Sequence, residues 1–518
     1  MIPQRVLPLG LVFILQGFLV ACGGGGGGGG GGDDSWSPPG SLPVAECFAD
    51  YNSEQKSWDA FRSSRGRAVY TSDNRDSLYS LNLASGDISL VSDSLTGWPL
   101  FSDTGRFIVY PVRGIAAPIY DQVEGRDLPD AAVSNFSSIQ LSWAPGDKGL
   151  LSAHFLGQKL LSGPLFRNAD AMYVAESLGH AWSADGEILV VVQSEQFAFY
   201  ELSPMRLIRT IPREPGSSLP RDLRFDPSGN YLTYSTSHVP EGADAYQRNV
   251  YLLDLLTSES SIIFTTNDTG GLSSDYEWAP SGKYIALVSY DDQNIFGLSL
   301  YSVDSQSTQR IQGADRQMWG YQWAPDADRL LFLRDDGDTQ TVHLMGDPET
   351  ADSIQVTESS EKFVESIAWS PDSRYFAYVS SGVSNESKLY AGDAEAGCFS
   401  AVELLESSSG VPYGTVQWSP SGQYLLYSAQ IEGSQEKLVI RPDGSGRVSL
   451  TQLILPSGST GSVRSVGWSR VSDTVYLRKY GGSGGIESIN FVEIDSLSLM
   501  SVEANGAYGF AETVMLTE

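Results

Sequence analysis

The phrase VQWSPSGQYLLYSAQ at residues 416–430 returns as IAWSPDSRYFAYVSS at 367–381 and as YEWAPSGKYIALVSY at 276–290. A chain made of copies of one short phrase is tightly constrained, because each copy must fold alike and bury its faces against its neighbours. Counted from the aromatic residue that opens each phrase, the copies begin at Phe61, Phe101, Trp143, Trp182, Phe225, Trp278, Trp323, Trp369, Trp418 and Trp468. Seven of the eleven tryptophans fall on this position, which marks it as a packing site. Successive copies lie 39 to 53 residues apart, a length that suits one four-stranded propeller blade.

Each part of the phrase has a physical task. Two residues after the aromatic stands Pro145, Pro227, Pro280, Pro325, Pro371 or Pro420, which pre-sets φ for a turn. Four residues after it stands Gly105, Gly186, Gly229, Gly282 or Gly422, replaced by Ala327, Ser373 or Ser472 in other copies. A turn at this point therefore calls for positive φ and tolerates some variation. An apolar strand such as YLLYS follows, and the fifth copy then adds NVYLLDL and SSIIFTT. With the short strand that ends on the aromatic itself, each copy supplies four strands. The chain is thus expected to be all-β, a β-propeller of four-stranded blades. One large ring of eight to ten blades is the expected form, and two packed propellers are the alternative.

WSPDS, WSPSG, WAPSG and WSADG resemble the repeat of TolB-type, WD-like β-propellers, in which W-S-P-D-G opens the main strand of each blade. The resemblance covers roughly residues 55–518. It implies the propeller fold and leaves activity open, because such repeats serve periplasmic scaffolds, binding modules and the non-catalytic domains of peptidases. The separate N-terminal α/β domain of TolB itself has no counterpart in the first fifty residues.

Those residues look like an export signal. Arg5 precedes the apolar run VLPLGLVFILQGFLVA, which closes on Leu19-Val20-Ala21-Cys22. This junction resembles the lipobox of bacterial lipoproteins, which implies cleavage before Cys22, acylation of that residue and anchoring in a membrane through lipid alone. The expected organisation is a signal peptide at 1–21, a lipidated Cys22 with a Gly-rich tether to residue 45, and a propeller from 46 to 518. The tether includes Gly23 to Gly32, a tract that behaves as a flexible coil. No Asp follows Cys22 directly, which by analogy with Gram-negative lipoproteins favours the outer membrane. An exported chain folds where disulfides survive. Cys47 and Cys398 then either bridge the start of the propeller to a late blade or stand as two thiols.

The formal charge of −30 disfavours nucleic acid and anionic headgroups as partners. Chemistry-bearing motifs are scarce. Gly481-Gly482-Ser483-Gly484-Gly485 fits the spelling of a nucleophile elbow, but no His follows His343, and a glycine-rich turn between strands explains it better. His154, His180, His238 and His343 lack metal-ligand spacing. Asp335, Asp336 and Asp338 around Gly337 lack the distal Glu of a calcium loop and suit a hairpin turn. The expectation is a protein without catalytic residues, metal or cofactor: a lipid-anchored envelope scaffold for a protein or peptide partner. The competing expectations are a carbohydrate-binding propeller and a propeller enzyme acting on extracellular glycan or peptide.

Overall fold

In the computed structural model, residues 67–503 are described, short stretches between strands and some side chains excepted. They form ten antiparallel sheets in chain order, nine of them four-stranded. The sixth is representative: Tyr276–Trp278, Tyr284–Tyr290, Phe296–Ser302 and Ser307–Arg310 pair as a simple meander. In the first sheet the described residues supply three strands, Arg67–Thr71, Leu78–Asn82 and Ile88–Ser92. Arg67 stands six residues after Phe61, the offset at which Ile188 follows Trp182, so these are the second to fourth strands of their blade. Phe61 itself, Cys22, Cys47 and the apolar segment FAETVMLT lie outside the described residues.

The buried apolar residues divide into ten clusters, and each is shared by two blades. Nine join consecutive blades. The tenth joins Ile489 and Phe491 of the last blade to Ala68 and Leu81 of the first. The cycle of seams is closed, so the chain forms one ring of ten blades, and the two-propeller alternative falls. No single blade can cover both of its faces, and the ring supplies every face with a neighbour.

The repeat phrase builds each seam. Its aromatic packs on the preceding blade, as Trp418 does among Ala377, Val379 and Leu389 of the eighth. In the last four blades the indole N–H also finds the same acceptor, the carbonyl just before the preceding blade's aromatic. Trp323 donates to Glu277 (3.3 Å), Trp369 to Gln322 (3.2 Å), Trp418 to Ala368 (3.1 Å) and Trp468 to Gln417 (3.3 Å). Phenylalanine in this place fills the same space without the donor. The Ser after the aromatic closes the turn: Oγ of Ser183, Ser370 and Ser419 accepts the N–H of Ile188, Tyr375 and Tyr424. Gly186 and Gly422 take φ of 71° and 73°, and Ser373 takes 64° in the eighth blade. In these blades the turn takes a left-handed residue there, whereas Ala327 of the seventh blade does not.

Neighbouring turns are clasped together. Asp328 accepts the N–H (3.1 Å) and the hydroxyl (2.6 Å) of Ser281 in the preceding blade. Asp473 holds Ser421 in the same way, and Asp147 holds Thr104. These clasps tie the turns into a belt at one end of the ring. A five-residue helix, Leu450–Ile454, follows the short outer strand of the ninth blade and is capped by Ser449 Oγ, which accepts the Gln452 N–H.

Candidate functional site at the inner strand of the fifth blade

The inner strand of each blade is an edge of its sheet and faces the centre of the ring. Register shifts interrupt this strand in the fifth, seventh, eighth and tenth blades. In the fifth the shift is flanked by two arginines. Arg221 pairs with Ser235, and Arg224 pairs with Thr233. Ser235 and Thr233 are two apart on a regular strand and so share a face. The extra residue of the bulge therefore brings Arg221 and Arg224, three apart in sequence, to that same face. Without the bulge they would point to opposite sides of the blade.

The face looks toward the sixth blade. Trp278 of that blade donates from Nε1 to Thr233 Oγ1 (2.9 Å), and Thr233 Oγ1 in turn donates to the Arg224 carbonyl (3.1 Å). Here the usual indole acceptor is already taken, and the hydroxyl stands in for it. Tyr276 of the sixth blade is almost fully buried and its hydroxyl donates to the carbonyl of Asp222. Asp222 lies inside the bulge at φ 53°, a costly conformation for a residue other than glycine. Its carboxylate accepts from Ser235 Oγ (3.1 Å). The Arg224 guanidinium lies 5.8 Å from the Tyr276 ring centre, within range of a cation–π contact. Arg248 pairs with Ser237 on the same face and is buried.

The electrostatics follow from these placements. Burial pushes the Tyr276 phenol well above its ordinary range, and Asp222 adds to the push against Arg224 and Arg248. Burial also raises the carboxyl of Glu277, with Arg224 opposing the rise. Among the described residues neither Arg221 nor Arg224 has a carboxylate in ion-pairing contact. Arg221 and Arg224 thus share this face with Asp222, and Glu277 of the sixth blade lies near Arg224. Such a group can hold an anion by charge and by forked hydrogen bonds.

Two clefts open at the turn end of the ring. One of about 590 Å³ lies among the second, third and fourth blades and includes Arg106 and Lys148. Arg106 is held by Asp121 at 2.8 Å, and Lys148 by Glu187. The other, about 280 Å³ between the fourth and fifth blades, has Phe199 and Phe225 in its wall, and its Arg209 is held by the Leu255 carbonyl and Ser258. The cations of both clefts are already engaged.

The residues singled out from the sequence are placed as follows. The strands that flank Gly481 to Gly485, Thr474–Tyr480 and Ile486–Glu493, pair antiparallel, and Gly482 to Gly485 themselves lie outside the described residues. Leu330–Asp335 and Gln340–Asp347 likewise pair antiparallel on either side of the aspartate cluster, of which Asp336 and Asp338 lie outside the described residues. His343 is buried, stacked on Phe332, with Nε2 at 3.1 Å from Thr341 Oγ1. His180 lies on the inner strand Gly179–Trp182 of the fourth blade, where burial lowers its pKa. Among the described residues no three His, Cys, Asp or Glu side chains gather as a metal site would require. Cys398 opens the outer strand Cys398–Ser407 of the eighth blade, but its side chain, and with it the bridge to Cys47, lies outside the described residues. The arginine face escaped the sequence reading. Its one trace there is Arg206, Arg209, Arg213, Arg221 and Arg224 crowded into nineteen residues of an acidic chain.

The fold and its seams define a ten-bladed β-propeller. No protein-family model matches the sequence, and no curated protein matches it. Among solved structures the chain is similar to a eukaryotic initiation factor, at 14% identity and a TM-score of 0.50, over 86% of this chain and 98% of that one. It also aligns with the dihydro-heme d1 dehydrogenase NirN, at 12% identity and a TM-score of 0.37, over 86% and 74% of the two chains. A third alignment is to Porphyromonas gingivalis dipeptidyl peptidase 4, at 11% identity and a TM-score of 0.43, over 89% and 68%. The first likeness is one of fold alone, and the other two carry no argument about chemistry.

Proposed function

We propose that this chain is an exported, lipid-anchored propeller of the cell envelope that serves as a non-enzymatic scaffold for a protein or peptide partner. The supporting observation is the composition of the inner strands. A hydrolytic site in a propeller needs acid and base groups, most simply two carboxylates brought together. At the fifth blade the inner strand instead presents two arginines, with Asp222 occupied by Ser235 and Glu277 of the sixth blade near Arg224. That is equipment for recognition. The closed ring and its clasped turns keep such a surface rigid, which lowers the ordering cost of binding. Anchoring is the role proposed for Cys22, with the Gly-rich tether holding the ring off an outer membrane.

Two measurements test the reading. Cys22→Ala is expected to move the protein from the membrane pellet to the soluble fraction, and retention in the pellet would count against a lipid anchor. Cross-linked capture of the lipidated chain from its own envelope is expected to yield a stoichiometric protein partner. Recovery of none would remove the scaffold reading.

A further inference from the structure

We infer that the cleft between the fourth and fifth blades is a docking site for a bulky apolar side chain followed by a lysine or arginine in an exposed segment of the partner. The inference deepens the scaffold reading and rests on it. The cleft opens where the belt of turns is interrupted. In three other seams the residue three places after the aromatic is a donor, Thr104, Ser281 or Ser421, and a carboxylate of the next blade's turn holds it. In the fourth blade that place belongs to Asp185, an acceptor. Among the described residues no hydrogen bond joins it to Pro227, Ser228 or Gly229, the turn of the fifth blade that lines the same cleft.

A bulge supplies one wall. Phe199 pairs with Arg209 and Tyr200 with Leu207, so Ile208 is an extra residue in the outer strand Met205–Pro212. It is 43% exposed and stands in the wall with Phe199, Phe225 and Leu255. Next to Leu255, Leu256 is 88% exposed. Apolar surface left open beside a cleft in this way marks a contact site. The volume of about 280 Å³ suits one large side chain.

The charges select what accompanies that side chain. Asp185 is exposed, and its Oδ1 accepts both the Ser183 hydroxyl (2.6 Å) and the Glu187 N–H (3.0 Å), which leaves Oδ2 without a partner among the described residues. These bonds, that of Ser183 first, hold the carboxyl below its ordinary value. Arg209 in the wall is spent on the Leu255 carbonyl and Ser258. Lys148, within electrostatic reach of Asp185, is bridged to Glu187 at 2.5 Å. An incoming ligand therefore meets an apolar wall and one available anionic oxygen, on a chain whose formal charge of −30 draws cations throughout the approach. An apolar side chain with a neighbouring Lys or Arg satisfies both.

The test uses the full chain and a short labelled Gly/Ser peptide with a central Phe-Lys, followed by fluorescence anisotropy. The controls are the same peptide with Ala for Phe and with Gln for Lys. Phe is expected to tighten binding about tenfold or more, the worth of burying one aromatic side chain. Lys is expected to add about threefold, the range of an exposed ion pair. I208S is expected to remove most of the Phe effect. D185N keeps an oxygen for Ser183 and Glu187, so it is expected to remove the Lys effect and spare the Phe effect. L90S, at an exposed leucine on the outer strand of the first blade, is expected to change neither. Equal binding of the Phe and Ala peptides, a Phe effect unchanged by I208S, or a Lys effect that survives D185N would each overturn the site. A partner captured equally by wild type and by the I208S/D185N double variant also overturns it, while leaving the scaffold reading in place. Peptide binding with both effects and no partner captured supports the site and removes the scaffold.

Discussion

The seam between the eighth and ninth blades and the seam between the fifth and sixth are written with nearly the same phrase, WSPSG and WAPSG. In the first, Trp418 stacks on Tyr375 with ring centres 6.3 Å apart, donates to a backbone carbonyl and sits among eleven other buried apolar residues. In the second, Trp278 stacks on Tyr231 at 6.4 Å in the same way, yet its indole donates to a threonine hydroxyl. Above that hydroxyl lie Asp222, Arg221 and Arg248 instead of a continued apolar face. In both seams the repeat fixes how the opening aromatic packs, while the acceptor of its indole N–H differs with the residue opposite it. That division can be probed by substitution.

The largest effect is expected at the regular seam. Trp418→Ala should cost about 3–5 kcal/mol, because it opens a cavity that two clasped sheets cannot collapse to fill. Denaturant midpoints at constant slope would measure this. Trp418→Phe keeps most of the volume and strands the Ala368 carbonyl, for a loss of about 1 kcal/mol. Trp278→Phe should cost less than that, because Thr233 Oγ1 retains its bond to the Arg224 carbonyl. Equal losses for the two Phe variants would mean that the substituted acceptor at the fifth blade has no consequence.

The turns give the next contrast. Gly186 has φ 71°, and a Cβ there would lie 2.2 Å from the carbonyl oxygen of Pro145 in the neighbouring blade. Gly229 has φ 74° and open space around the same position. Gly229→Ala should therefore cost only the left-handed backbone, about 1–2 kcal/mol. Gly186→Ala should cost clearly more, since a backbone atom of the third blade has to move. Comparable melting temperatures for the two variants would show that the belt of turns yields easily.

Most of the ring was legible because the aromatic, proline and glycine of each phrase act within a few residues of one another. Trp418, Pro420 and Gly422 set a turn and a packing knob without knowledge of any distant residue. The serine between aromatic and proline was equally visible, but its role as acceptor for Tyr424 becomes evident only when the turn is closed. The number of blades required the last seam, where Phe491 meets Ala68 across more than four hundred residues of chain. The arginine face was hidden for a different reason. Alternation along a strand assigns Arg221 and Arg224 to opposite sides, and one extra residue reverses that assignment. No propensity of the segment RDLRF announces the bulge.

Glu277 offers the smallest and sharpest test of this buried polar region. It directly precedes Trp278, and burial raises its carboxyl above the ordinary value of 4.5, against the pull of Arg224. A carboxyl raised on folding contributes its full stability below the unfolded value and loses it as pH rises through the folded one. At neutral pH the charged form is therefore a net cost to the fold. Glu277→Gln should stabilise the ring at neutral pH, and its advantage should vanish in urea titrations below pH 4.5, where wild type carries the proton. A variant that is instead destabilised at neutral pH would show that attraction to Arg224 outweighs burial. The sixth blade's carboxylate would then be part of the arginine site.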